Sequence, residues 1–171
     1  MSHAAPLLRI PVGVVIERRK ADSQWIDFTW CATAVLPDTT DMKPWTVLRD
    51  SNGVTSFYAG EASVDLYASE TARYRENLAT GAAGIWVVMS PSDAEIPYKI
   101  EIVTADPAEG EGYTEVDVYL VEQVPMPKSI RDAVDLFVGQ HHVETPFVKR
   151  QRNRVDPEAM ARHVRESRDD E

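Results

Sequence analysis

The 171 residues contain a single cysteine, Cys31, so an internal disulfide framework is excluded. One thiol also excludes a cysteine-rich metal site and suits a reducing compartment. No apolar run approaches the roughly 20 residues that span a bilayer as a helix. The amino-terminal stretch MSHAAPLLRIPVGVVIERRK has no basic segment ahead of its apolar part, and Arg9 interrupts what would be the core of an export signal. A soluble, cytoplasmic protein is the expectation. Positive charge is scarce as well: 18 Lys and Arg face 28 Asp and Glu, a formal net charge of -10. An acidic body repels phosphate at long range, which disfavours nucleic-acid binding.

The little positive charge there is lies unevenly. Residues 1–148 carry 11 basic and 22 acidic side chains, net -11, whereas residues 149–171 carry 7 and 6, net +1. Lys149, Arg150, Arg152 and Arg154 stand within HHVETPFVKRQRNR, a concentrated basic run on an acidic chain. With 43% hydrophobic and 27% charged residues the composition is that of a folded globular domain.

Periodicity supplies the elements. WIDFTWCATAVL alternates, with Ile26, Phe28, Trp30, Ala32, Ala34 and Leu36 on one face, and predicts a strand paired with PVGVVIERR through a turn near KADSQ. WTVLRD and VTSFYA flank Asn52-Gly53, the pair best suited to a tight hairpin turn. SVDLYA, GIWVVMS, YKIEIVTA and TEVDVYLVEQ predict further strands, the last with Val116, Val118 and Leu120 on one face. ETARYRENLATG predicts a helix capped by Ser69 with Tyr74 and Leu78 inward. After VPMP, the stripe Ile130, Ala133, Val134, Phe137, Val138 and His141 predicts a second packed helix, opened by a capping box of Ser129 and Asp132. DPEAMARHVRESRDD, with Asp156 as cap and Pro157 at the first helical position, predicts a terminal helix.

Strands in hairpin order followed by helices give an α+β fold: a curved, mostly antiparallel sheet of about six to eight strands, two packed helices and a C-terminal helical extension. Residues 1–148 form a single domain in this reading, and residues 149–171 a basic segment and helix. A regular βαβ alternation is missing, and with it the usual nucleotide crevice.

No residue pattern marks a catalytic site. On its strand Cys31 has Asp27, Thr29 and Thr33 for company, and a carboxylate disfavours the thiolate that a nucleophile requires. His141, His142 and Glu144 are the nearest approach to a metal cluster, but adjacent helical histidines diverge and zinc demands three or four convergent ligands. EGEG, residues 109–112, reads as an acidic surface loop, because its glutamates repel phosphate and no lysine follows. GAAG, residues 81–84, reads as a helix end. Trp25, Trp30, Trp45 and Trp86 read as packing residues without the interleaved basic side chains of single-strand binders.

IPVGVVIERRK, the tryptophans with VLP following, YRENL, VTADP, VPMP and FV before HHVETPFVKRQRNR together resemble an uncharacterised bacterial family, the domain of unknown function 3305, over most of residues 10–155. Members are often encoded beside formate dehydrogenase and related molybdenum-enzyme genes, which implies an accessory or maturation role. Some carry the label of a molybdopterin-guanine dinucleotide biosynthesis protein, yet RIPVGVVIERRK lacks the glycine-rich nucleotide loop such a transferase requires. The resulting expectation is a non-catalytic accessory protein with no cofactor, docking a protein partner, a formate dehydrogenase component in this reading, through Lys149, Arg150, Arg152 and Arg154. The alternatives are binding or transfer of a phosphorylated nucleotide or pterin, with the same basic residues, joined by Arg73 or Arg75, gripping phosphate, and, less favoured, nucleic-acid binding.

Overall fold

A computed structural model describes residues 4–144. Seven strands form one sheet: β1 (Leu8–Lys20), β2 (Phe28–Leu36), β3 (Thr46–Ser51), β4 (Val54–Leu66), β5 (Gly84–Pro91), β6 (Tyr98–Thr104) and β7 (Leu120–Pro125). Three helices accompany them: α1 (Thr71–Ala79), α2 (Pro107–Gly112) and α3 (Lys128–His141). The sheet runs β2-β1-β4-β6-β5-β7, with β3 as an additional partner of β4. Every pairing is antiparallel except β4 with β6, which meet in parallel at Val64 and Val103. The fold is α+β, with the sheet curved almost into a barrel. Its two ends, β2 and β7, come into contact without a hydrogen-bonded ladder.

Bulges supply the curvature. Val15 pairs with Ala34 but Ile16 pairs with Ala32, so Thr33 is an extra residue in β2. Ala59 is the extra residue in β4 against β1, and Glu101 the one in β6 against β5. Each bulge bends its strand and increases the local twist. The alternation expected from WIDFTWCATAVL fails for this reason: past Thr33 the face changes, and Ala32 and Val35 both enter the core. The strand also begins two residues later than its pattern suggests, leaving Ile26 exposed.

VTSFYA and SVDLYA are one strand rather than two. Gly60, at φ 130°, carries β4 through the bend beside Ala59 with a backbone angle that only glycine adopts readily. The β3–β4 turn is as expected: Asn52 and Gly53 both have positive φ, 54° and 76°.

Val12, Val14 and Ile16 of β1, Ile85, Val87 and Met89 of β5, and Val64 and Leu66 of β4 form the core. Tyr74 from α1 and Ile130, Val134, Phe137 and Val138 from α3 join that same cluster. The α3 stripe is the one its sequence predicts. Its start differs, because Pro127 precedes Lys128 and no side chain caps the helix, so Ser129 lies inside the first turn. Ser69 likewise lies in a 3-10 turn before α1, bonded to Glu70.

Two local expectations are overturned between β6 and β7. PAEGEG forms α2, because Asp106 accepts hydrogen bonds from the Ala108 and Glu109 amides and Pro107 occupies the first turn. The strand expected from TEVDVYLVEQ begins only at Leu120, so Val116 and Val118 stand exposed. α2 lies on the outer face of β5, where Gly110 rests directly on Trp86. β5 is thereby buried on both sides, which explains its unbroken apolar sequence.

Candidate functional site

Register brings one row of side chains together on the concave face. Trp30 of β2 lies opposite Arg18 of β1, Arg18 opposite Thr55 of β4, and Thr55 opposite Asp50 of β3. The next row inward, Ala32, Ile16 and Phe57, belongs to the core, so Arg18 stands at the mouth of the curved sheet. Beneath it an aromatic plug closes the interior. Trp30 stacks on Phe57 at 5.8 Å and meets Trp45 and Tyr98 at 6.4 and 6.2 Å.

The Arg18 guanidinium lies 4.4 Å from the Phe28 ring centre, 5.5 Å from Phe57 and 5.9 Å from Trp30. Aromatic faces attract a cation by ~0.5–2 kcal/mol each, more where water is excluded. Arg18 donates to Thr55 Oγ1 at 3.3 Å, and Thr55 Oγ1 in turn donates to Asp50 Oδ1 at 3.1 Å. The Arg18 Nε is buried with no acceptor, and Arg18 forms no ion pair among the described residues. Trp45 is held at φ 67°, a costly angle for a bulky residue, with its amide bonded to the Tyr58 carbonyl. Around this mouth Phe28 is 42% exposed and Val47, opposite Phe57, is 53% exposed. Trp25, on the approach to β2, is 92% exposed. Of the four tryptophans, Trp30, Trp45 and Trp86 are the packing residues that the sequence suggests, and Trp25 is not.

A second feature lies where β4 and β6 separate on either side of their single paired position. A groove of about 300 Å³ opens there, lined by Glu61, Asp65, Glu101 and Glu109 among others. Tyr67 and Glu109 also border an adjoining hollow of about 610 Å³ that contains Arg73 and Asp106. Asp106 is 3% exposed, and Arg73 Nε donates to its Oδ2 at 2.8 Å while Arg73 also pairs with Glu70. Tyr74 Oη accepts from the Tyr67 amide, and burial pushes its phenol up to about 12, with Asp106 adding to the rise. Among the described residues lining this hollow, Arg73 carries the positive charge and pairs with both Glu70 and Asp106.

The remaining candidates separate in space. His141 packs on Phe137, with ring centres 4.5 Å apart; His142 Nδ1 is 3.0 Å from Thr71 Oγ1; Glu144 pairs with Arg75 at 3.4 Å. Thr71 Oγ1 already donates to the Ala68 carbonyl, so His142 must be the donor in their contact. No group of three or more His, Cys, Asp and Glu among the described residues could hold a metal ion. Burial raises the Cys31 thiol pKa, and Glu122 on β7 raises it further, both opposing a nucleophilic role. Lys149, Arg150, Arg152 and Arg154 lie outside the described residues, as does all of residues 149–171. No described helix is long and apolar enough to cross a membrane.

Residues 11–151 match the family described as Protein of unknown function (DUF3305). The chain belongs to that family. No curated protein and no solved structure matches it. In this DUF3305 member the motifs that carry the resemblance occupy joints of the fold. VTADP ends β6 and caps α2 through Asp106, YRENL supplies Tyr74 and the buried Asn77 of α1, and VPMP joins β7 to α3. Arg18, in IERRK, reaches the mouth together with Trp30. Its neighbours in sequence, Arg19 and Lys20, look the same on paper, and only the sheet register singles it out.

Proposed function

We propose that this DUF3305 protein is a non-catalytic accessory protein that docks a protein partner. The observation that carries the reading is the exposure of large apolar side chains on and beside the strands that form the sheet mouth, Phe28 on β2, Val47 on β3 and Trp25 in the β1–β2 connection. Exposed apolar side chains gathered at one end of a domain are characteristic of association surfaces. The basic run of Lys149, Arg150, Arg152 and Arg154 supplies a second contact, suited to an acidic partner and faster association at low salt. In this reading the docking serves the maturation of a formate dehydrogenase-type molybdoenzyme in the cytoplasm, the role that the resemblance implies. Phosphorylated nucleotide or pterin binding at Arg73 is disfavoured, because Arg73 is held by Glu70 and Asp106 and the groove beside it is acidic.

The test is affinity purification of the tagged full chain from its native host at low salt, followed by reconstitution with the purified partner. A stoichiometric complex weakened by serine at positions 149, 150, 152 and 154, and by added salt, is the expected result. The reading fails if nothing forms a stoichiometric complex. The role of the basic run fails if the quadruple variant binds as well as the wild type.

A further inference from the structure

We infer that the mouth of the sheet reads the partner through a carboxylate: Arg18 receives an Asp or Glu side chain of an extended partner segment whose neighbouring apolar side chains lie on Phe28 and Val47. The inference rests on the protein-docking reading and names the chemistry that the docked segment must have.

Charge is the first argument. A guanidinium has five N–H donors in a planar fork matched to a carboxylate. At Arg18 the acceptors nearby are few: the neutral Thr55 hydroxyl takes one donor, and Nε is buried with none. Among the described arginines, Arg9, Arg19, Arg73 and Arg75 pair with a carboxylate, and Arg18, Arg49 and Arg131 do not. Arg18 instead is set against three aromatic rings, among strands that Trp30, Phe57 and Trp45 fix in place. A cation held on a rigid apolar platform with no ion pair among the described residues complements an anion that arrives on an apolar body.

The surroundings give the second argument. The carboxylate in the row, Asp50, accepts from Thr55 and makes no ion pair with Arg18, so guanidinium donors are left for an incoming acceptor. Phe28, opposite Lys20, lies one row outward of Arg18 on β2, and Val47, opposite Phe57, one row inward on β3; both are exposed. A segment running obliquely across the mouth from one to the other would pass the guanidinium between two apolar side chains. The spacing calls for a central acidic residue with aliphatic or aromatic neighbours.

A displayed library of random short peptides, selected in parallel on the full chain and on Arg18→Gln, tests this. Enrichment on the wild type of peptides with Asp or Glu beside aromatic or aliphatic residues is expected, with loss of those peptides on Arg18→Gln. A selected peptide should move the Arg18 Nε–H and the Trp30 indole signals in NMR spectra, and its Gln or Asn counterpart should bind about tenfold more weakly. Arg18→Lys, which keeps the charge and loses the fork, should bind in between, and the native spectrum of each variant establishes that it is folded. Enriched peptides without an acidic residue, binding indifferent to Arg18, or no enrichment overturns the inference. A native partner retained by folded Arg18→Gln overturns it too, while leaving the docking reading intact.

Discussion

The side-chain amide of Asn77 clasps the backbone of Gly84, its Nδ2 donating to the Gly84 carbonyl at 2.8 Å and its Oδ1 accepting from the Gly84 amide at 3.0 Å. Nδ2 also donates to the Ala105 carbonyl at 2.9 Å. One buried side chain thus joins α1 to the start of β5 and the end of β6. Asn77→Ala leaves three buried backbone groups without partners and should destabilise the fold by ~3 kcal/mol. Asn77→Asp should cost more, because a carboxylate cannot donate to two carbonyls. Urea denaturation of the three proteins measures both, and an Asp variant as stable as wild type would refute the clasp.

Asp106 does two jobs, capping α2 and pairing with Arg73. Asn is as good a cap but carries no charge. Asp106→Asn should therefore lose less than ~1 kcal/mol, and Asp106→Ala ~2 kcal/mol. The half-exposed Arg73 retains Glu70 in either variant. Thermal melts of the two variants separate the contributions, since Asn keeps the cap acceptor and loses the ion pair while Ala loses both.

Gly110 allows α2 to touch the outer face of β5. A Cβ there would fall 2.2 Å from Trp86 Cγ, and no small adjustment relieves that overlap. Gly110→Ala should cost at least ~2 kcal/mol, and adding Trp86→Leu should return part of that loss. Additive losses in the double variant would show that the contact is not the cause.

Tyr58 is 1% exposed, its ring lies over Gly13, and its hydroxyl has no hydrogen-bond partner. Removing an orphaned buried hydroxyl while keeping the ring should help. Tyr58→Phe is expected to match the wild type or gain ~1 kcal/mol in denaturant midpoint measurements, and a clear loss would reveal a partner for the hydroxyl.

Cys31 has a raised thiol pKa, from burial first and Glu122 second. A raised pKa means less thiolate at a given pH, so iodoacetamide should modify Cys31 more slowly than a free cysteine at pH 8, the gap narrowing as pH rises. Glu122→Gln removes one cause and should speed the reaction. Burial also raises the Glu122 carboxyl pKa. A raised carboxyl pKa favours the protonated form in the folded state, so stability falls as pH rises through the carboxylate range. Glu122→Gln should accordingly gain up to ~0.5 kcal/mol at neutral pH and nothing at low pH.

Sequence and structure agree where neighbours in the chain decide the outcome. The Asn52-Gly53 turn, the α3 stripe of Ile130, Val134, Phe137 and Val138, and the buried run of β5 follow from spacings of a few residues. The cap of α2 is legible as well, since Asp106-Pro107 is the same signal in sequence as Asp156-Pro157. Composition fixed the acidic body, and the motif set fixed the family.

Tertiary structure alone decided the rest. Bulges at Thr33, Ala59 and Glu101 set the curvature, and an extra residue in one strand has meaning only against its partner. Arg18 is one of three consecutive basic residues in IERRK, and nothing local distinguishes it. It faces the mouth because β1 pairs with β2 and β4 in a register that sets it opposite Trp30 and Thr55, the latter 37 residues away. Long-range register is a property of the assembled sheet, and the candidate site exists only there.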